Sequence, residues 1–257
     1  MLIDEKLVQQ RLRQIRTCIE NNASALALFL PQDGHSFTTI RQNDSDISFT
    51  LVVETNTREP LIRDLSWLSD IQHIAFKYQC TDNSFRFIFS DGIYCHLSIV
   101  EESDFEQIST DMACYWCRRP LDKALPKLRE SKPAHTQQNV TWLLGEVCTH
   151  LLTGLRCWHK GDKLSAFYYV QHYALGHLLT LIDIWEFNQQ HAKKTSLEGG
   201  LEKACPIAAK QVSQFALGYD RTPHAAMAML DYIEQHQHIN FFLKDQIQNL
   251  LGSLADA

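Results

Sequence analysis

The spacing of hydrophobic residues changes along the chain, and this change constrains the fold more than any other feature. In the first 105 residues, short apolar runs of strand length alternate with helical patterns, whereas the pattern from Gln138 onward is helical throughout. Residues 106–137 lie between these regions and contain three prolines. We therefore predict an α+β fold with a small mixed α/β domain (1–105), a connector (106–137) and an all-α helical-bundle domain (138–257).

The first region predicts the element order α-β-β-α-β-β. Apolar residues at helical spacing indicate helices over residues 4–21 and 60–76. Runs rich in strand-forming residues predict four strands, over residues 25–30, 47–54, 85–89 and 93–100. Asp91-Gly92 separates the last two runs, and this dipeptide is a strong local signal for a β-hairpin.

The second region begins with two long apolar stripes separated by Lys160-Gly161-Asp162. Glycine favours a helix end and aspartate favours a helix start, so the stripes predict two antiparallel helices joined by a short turn. Further helices are predicted near Pro206, from Thr222 as the N-cap with Pro223 in the first turn, and over 241–254.

Charge and composition restrict the partners of this chain. The formal net charge is -6 and no run of basic residues is present, which disfavours binding to duplex nucleic acid. The most apolar long stretch, 167–187, contains too many polar side chains for a membrane span, and the first residues do not resemble a signal peptide. We therefore expect a cytoplasmic protein that binds neither nucleic acid nor membrane.

The cysteines and histidines give weaker signals. Cys114 and Cys117 have the spacing of half a zinc site, but the sequence lacks a second close pair of ligands and a βαβ pattern before them, so we interpret both as packing thiols. His172 and His177 lie in the second helical stripe, five residues apart, and this spacing does not place two ligands on one helix face.

The most specific pattern surrounds the first turn and the second strand. Gly34 lies in the turn after the first strand, and Ser45-Asp46-Ile47-Ser48-Phe49 begins the second strand, with Asp46 twelve residues after Gly34. This layout resembles the nucleotidyltransferase superfamily, in particular the small enzymes that modify lincosamide and aminoglycoside antibiotics. The downstream pair of helices with its Lys-Gly-Asp turn also looks like the helical domain of those enzymes.

The resemblance implies a nucleotide-binding turn at Gly34, His35 and Ser45, with His35 in place of the family's serine. It also implies a magnesium site made of two carboxylates at i and i+2 of one strand and a third on a neighbouring strand. Asp46 stands at the first of these positions, Ser48 replaces the second carboxylate, and His96 lies on the strand expected to supply the third. The resemblance therefore implies a degenerate active site in which Asp46 alone is left as a catalytic or metal-binding candidate.

The sequence thus predicts a nucleotidyltransferase-fold protein with impaired or lost metal-dependent transfer, which binds a nucleotide or another small molecule in a cleft between its domains. Two alternatives stay open. An active, magnesium-dependent transferase would combine Asp46 with a carboxylate from elsewhere, such as Asp33, Asp44 or a residue of the helical half. A non-catalytic regulatory protein would use its helical half to bind a protein partner or to form a homodimer. No cofactor is expected unless the protein is active.

Overall fold

The computed structural model describes residues 3–31, 46–107, 112–120, 139–187 and 206–255. The chain divides into two compact units. The first is Ile3–His135, and the second is Thr136–Ala257, to which Met1–Leu2 is also assigned. The described part of the first unit is built on a mixed β-sheet, and that of the second consists of helices. The structure therefore has the α+β class that the sequence predicts.

One six-stranded sheet forms the framework of the first unit. Its strands, in chain order, are β1 (Ala25–Pro31), β2 (Ile47–Val53), β3 (Ile74–Thr81), β4 (Ser84–Phe89), β5 (Tyr94–Glu101) and β6 (Met112–Cys117). Their order across the sheet is β3-β4-β5-β2-β1-β6. The central strands β2 and β5 are parallel, and the other neighbouring pairs are antiparallel.

Helical segments cover one face of the sheet: α1 (Glu5–Asn21), α2 (Arg58–Arg63) and a 3₁₀ turn (Leu65–Leu68). The Asp4 carboxylate accepts the backbone N–H of Lys6 at 3.0 Å and so caps α1 at its start. Because apolar side chains recur at helical spacing, α1 buries one face. The core between helices and sheet includes Leu12, Ile15, Ile19, Leu61, Leu65, Leu68, Phe87, Phe89 and Leu97.

A buried ion pair joins α1 to the hairpin between β4 and β5. The Arg11 guanidinium binds the Asp91 carboxylate, with side-chain exposures of 8% and 16%, and also donates to the carbonyl oxygen of Ile71 at 2.9 Å. The other carboxylate oxygen of Asp91 accepts the N–H of Ile93 at 3.2 Å, while Gly92 has a φ of 88°. Glycine adopts this left-handed conformation without strain, so the predicted Asp-Gly hairpin is confirmed.

Two strands were missing from the sequence prediction. The predicted helix over 60–76 is wrong beyond Arg63, because α2 ends there and residues from Ile74 onward pair with β4 as strand β3. The segment predicted as a connector contains β6, which pairs with β1 and extends the sheet. Both strands lie at the edges of the sheet.

The second unit begins with the predicted antiparallel helices. Helix α3 (Val140–His159) ends at a turn in which Gly161 has a φ of 84° and the Asp162 carboxylate accepts the N–H of Ser165 at 3.2 Å. The second helix comprises α4 (Lys163–Tyr168), a π-helical turn (Tyr169–Ala174) and α5 (Leu175–Phe187). The predicted pair of helices is confirmed, with a π-turn that the sequence pattern does not indicate.

The two helices approach closely at Gly154. A Cβ atom at this position would lie 2.6 Å from Cγ2 of Val170 and 3.1 Å from Cβ of Tyr169. Only a residue without a side chain therefore allows α3 to contact the π-turn at this distance. Gln171, also in the π-turn, accepts the N–H of Gly218 at 2.8 Å and donates to its carbonyl oxygen at 2.7 Å.

The remaining helices are α6 (Pro206–Phe215), α7 (Thr222–His236) and α8 (Phe241–Ala255). Thr222 is the first residue of α7 rather than its cap, and its hydroxyl donates to the carbonyl oxygen of Tyr219 at 2.9 Å. The core of this unit includes Leu143, Val147, Leu151, Val170, Leu178, Met229, Ile233, Leu243 and Ile247. None of the described helices is long and apolar enough to cross a membrane.

Candidate functional site

Asp46 joins the starts of the two parallel strands. Its backbone N–H donates to the carbonyl oxygen of Tyr94 at 2.9 Å, and its carboxylate oxygen Oδ2 accepts the backbone N–H of Tyr94 at 2.9 Å. Hydrogen bonds to ionised groups are stronger than those between neutral groups. The Asp46 carboxylate therefore fixes the register at which β2 and β5 begin.

Ser48 and His96 lie side by side, two residues further along the same strands. The parallel pairing places Ser48 in register with His96, between the pairs Ile47–Cys95 and Phe49–Leu97. Because side chains alternate between the two faces of a strand, Ser48 and His96 share one face of the sheet, whereas Asp46 precedes β2 and its carboxylate lies against the backbone of Tyr94. The structure thus places Ser48 and His96 side by side, and Asp46 one residue before the start of β2.

His96 is neutral at physiological pH. It is also in register with Arg86 on the antiparallel strand β4. Burial, together with the positive charge of Arg86, lowers the pKa of His96 to about 3. The face of the sheet that carries Ser48 therefore also carries a neutral imidazole, that of His96, and the guanidinium of Arg86.

The predicted nucleotide-binding residues Gly34, His35 and Ser45 lie outside the described residues, as do Asp33 and Asp44. Their roles stay predictions. The same holds for a ligand in a cleft between the domains.

The interpretation of Cys114 and Cys117 as packing thiols is wrong, because both are exposed on the edge strand β6. Their pairing with Phe29 and Ala27 spans an irregularity in the strand register. Burial raises the pKa of the Cys114 thiol, and the neighbouring Cys117 raises it further. Cys95 and Cys148, by contrast, are buried as expected of packing thiols.

A second polar cluster lies inside the helical unit and was missed by sequence reasoning. It consists of Glu146 and His150, one turn apart on α3, and His177 on α5. One ligand atom from each of the three side chains lies within 4.8 Å of the other two. The Glu-x-x-x-His spacing on one helix was a signal for the first two residues, but nothing in the sequence indicates which residue of the second helix joins them.

The π-turn explains why the cluster forms. The rings of Tyr169, Tyr173 and His177, at positions i, i+4 and i+8, all lie beside the ring of His150, with centroid separations of 6.0, 5.5 and 5.6 Å. In a regular α-helix of 3.6 residues per turn, residues at this spacing drift progressively around the axis. The π-turn has i→i+5 hydrogen bonds and so more residues per turn, which offsets this drift.

Comparisons with known proteins give only distant structural similarity. No family model matches the sequence, and no curated protein matches it. An aminoglycoside 6-adenyltransferase from Bacillus subtilis is similar with a TM-score of 0.31 and 10% identity, over 97% of this chain and 96% of that one. A nucleotidyltransferase-like protein from Exiguobacterium sibiricum has a TM-score of 0.27 and 12% identity, over 95% and 74%. Similarity at this level carries no functional argument.

Proposed function

We propose that this protein has a nucleotidyltransferase-like fold and binds a nucleotide or another small molecule without performing magnesium-dependent nucleotidyl transfer. The observation that carries the proposal is the side-by-side placement of Ser48 and His96 on the parallel strands β2 and β5, with Asp46 just before the start of β2. These are the positions at which the sequence resemblance expects three carboxylates. One carboxylate, one hydroxyl and one imidazole occupy them.

This set of side chains does not fit a pair of magnesium ions. Magnesium is a hard cation that binds oxygen ligands, chiefly carboxylates and phosphates. Ser48 supplies no charge, and a neutral imidazole nitrogen at His96 is a poor ligand for magnesium. The guanidinium of Arg86, in register with His96, adds positive charge next to the place where divalent cations would have to bind.

The role of Asp46 in the fold supports the same conclusion. Its carboxylate oxygen Oδ2 is engaged by the backbone N–H of Tyr94. This bond accounts for an aspartate at the start of β2 without any metal ion. The proposal therefore assigns ligand binding to the turn predicted around Gly34, His35 and Ser45, and a structural role to Asp46.

Thermal-shift measurements with ATP, GTP, CTP and UTP, each with and without magnesium, test this proposal. We expect at least one nucleotide to raise the unfolding temperature by the same amount in both conditions. Stabilisation that requires magnesium would overturn the loss of the metal site. If no nucleotide stabilises the protein, mass spectrometry of ligands that co-purify with it distinguishes another small molecule from the regulatory alternative.

A matched pair of double variants tests the geometry directly. The variant Ser48→Asp/His96→Asp restores carboxylates at both positions, whereas Ser48→Asn/His96→Asn has nearly the same shape without the charges. We expect magnesium to stabilise only the aspartate variant, because two carboxylates would then lie side by side on one face of the sheet, two residues beyond Asp46. An aspartate variant that folds but does not respond to magnesium would show that these positions do not correspond to a metal site.

An activity assay addresses the remaining alternative. The full chain is incubated with labelled nucleotides, magnesium and a panel of hydroxylated acceptors, and we expect no transfer product. A product that disappears in Asp46→Asn, a variant that retains the side chain's shape, would establish an active transferase with rearranged acids instead.

A further inference from the structure

The cluster inside the helical unit has the composition of a transition-metal site. We propose that Glu146, His150 and His177 bind one divalent first-row transition metal ion, with zinc as the first candidate. The ligand atoms are a carboxylate oxygen of Glu146 and one ring nitrogen from each histidine. This site is separate from the face of the sheet that carries Ser48 and does not depend on the proposed nucleotide binding.

The burial of Glu146 and His150 favours a bound metal ion as the partner of the carboxylate. Glu146 and His150 are only 6% and 7% exposed. Coordination to a cation stabilises a buried carboxylate in addition to the hydrogen bonds that it makes. Two imidazole rings lie within reach of this carboxylate, and a cation shared by all three groups would neutralise its charge.

The distances are close to those of a metal centre. Oε2 of Glu146 and Nε2 of His150 are 3.8 Å apart, longer than a direct hydrogen bond. With metal–ligand bonds of about 2.0–2.1 Å, two ligands of a tetrahedral zinc ion lie about 3.3 Å apart. Since the separations among the three ligand atoms do not exceed 4.8 Å, side-chain adjustments alone can bring them to these positions.

The donor set selects the kind of metal. Two imidazole nitrogens and one carboxylate oxygen suit zinc and neighbouring transition metals, whereas magnesium and calcium prefer oxygen ligands alone. Three protein ligands leave a fourth position for water or a small molecule, as in zinc sites with two histidines and one glutamate. The site is therefore suited to binding or activating a further ligand rather than to a purely structural role.

The surroundings hold the ligands in place. The ring of Trp142 contacts His177 edge-to-face at a centroid distance of 5.2 Å, and the rings of His150 and His177 are nearly parallel, at 8°. The close contact of α3 with the π-turn at Gly154 fixes the separation of the two helices. An aromatic shell of this kind limits solvent access and strengthens coordination.

The experiment is a metal titration of the full chain, produced without a histidine tag and stripped of metal by a chelator. Exposed thiols coordinate zinc, so the titrations use the Cys114→Ser/Cys117→Ser background to remove the two on β6. Cobalt(II) is added first, because its visible d–d absorption reports the coordination directly, and zinc(II) is then used to displace it. We expect one equivalent of cobalt to bind and to be displaced by one equivalent of zinc, with magnesium having no effect.

Single variants identify the ligands. Glu146→Gln, His150→Gln and His177→Gln should each weaken zinc binding by at least ~100-fold, because even the loss of an outer-shell partner costs about 10–100-fold. His172→Gln is the matched control, since His172 is exposed on the same helix five residues before His177, and its affinity should equal that of the parent.

Two results would overturn the proposal. One is a parent protein that binds no cobalt or zinc at equimolar concentration. The other is a folded His177→Gln variant that binds zinc as tightly as the parent does. If the variants do not fold, the cobalt spectrum of the parent decides: bands of low intensity typical of six-coordinate aqueous cobalt contradict the site, and intense bands of a four- or five-coordinate ion support it.

Discussion

The two polar clusters of this protein, one in each unit, differ in what their carboxylates do. On the sheet, Asp46 uses its carboxylate to hold the start of β5 next to the start of β2, and Ser48 and His96 beside it are uncharged. Among the helices, Glu146 lies buried with its carboxylate facing two imidazole rings from two elements. The Asp46 carboxylate thus joins two backbone segments, whereas the Glu146 carboxylate lies near two imidazole nitrogens that could share one metal ion with it.

This difference shows that the order of helices and strands in a chain does not determine the chemistry of the side chains placed on them. The sheet places β2 beside β5, the strand on which the sequence resemblance expects the third carboxylate, but Ser48 and His96 on these strands carry no negative charge. The helical unit has a donor set that suits a metal ion, although the sequence did not indicate that its three members lie together. Substitutions in the first unit should therefore change stability, and substitutions at the second cluster should change metal affinity.

The largest effect is expected at the ion pair of Arg11 and Asp91. Arg11→Met removes the guanidinium and leaves a mostly buried carboxylate without its cation. Breaking one side of a buried pair costs about 3–5 kcal/mol of the free energy of unfolding, measured by urea denaturation. Arg13→Met on the exposed face of α1 is the control and should cost less than about 0.5 kcal/mol. Equal losses in the two variants would contradict a structural role for the pair.

A smaller effect is expected at Asp46. Asp46→Ala removes the acceptor for the N–H of Tyr94 and should lower the free energy of unfolding by about 1.5–3 kcal/mol in metal-free buffer. Asp46→Asn retains a side-chain oxygen acceptor and should lose less than about 1 kcal/mol. If Asp46 served mainly to bind magnesium, both variants would be as stable as the parent in metal-free buffer. That result would remove the distinction between the two clusters.

Gly154→Ala tests the packing that supports the helical cluster. The added methyl group would lie 2.6 Å from a methyl carbon of Val170, so the helices must move apart. Overpacking of this kind typically costs about 1–3 kcal/mol, measured by urea denaturation. Gly176→Ala is the matched control, because a Cβ atom at Gly176 meets nothing within 4 Å, and it should be neutral or slightly stabilising. A Gly154→Ala variant as stable as the Gly176→Ala control would show that the approach of the helices is not constrained there.

The sequence predicted the elements whose signals are local. The Asp91-Gly92 hairpin, the helix over 4–21 and the turn at Lys160-Gly161-Asp162 follow from turn residues, caps and periodicity within a few positions. The two strands that it missed, β3 and β6, are the edge strands of the sheet. Each has only one neighbouring strand and is only partly buried, and pairing with β4 or β1 determines its structure.

The two clusters also differ in how far the sequence could predict them. The proximity of Ser48 and His96 follows from strand alternation once β2 and β5 are neighbours, and the sequence supplied both strands. The proximity of His150 and His177 depends on the packing of two helices and on a π-turn that shifts the phase of the second one. The rotation of one helix against another is a tertiary property, so no spacing within the sequence could identify His177 as the third member.

The smallest effect is expected at His96 and depends on pH. The pKa of His96 is lowered to about 3 in the folded state, while an unfolded histidine titrates near 6.5. The unfolded chain therefore binds more protons between these values, and His96 reduces stability as the pH falls below about 6.5, by at most about 1.4 kcal/mol per pH unit. In His96→Gln, urea denaturation from pH 7.5 to 5 should show a weaker loss of stability than in the parent. His238→Gln, at an exposed position, should follow the parent curve. If His96→Gln also follows that curve, His96 binds a proton as readily in the folded protein as in the unfolded chain, and the sheet would not hold it as a neutral imidazole.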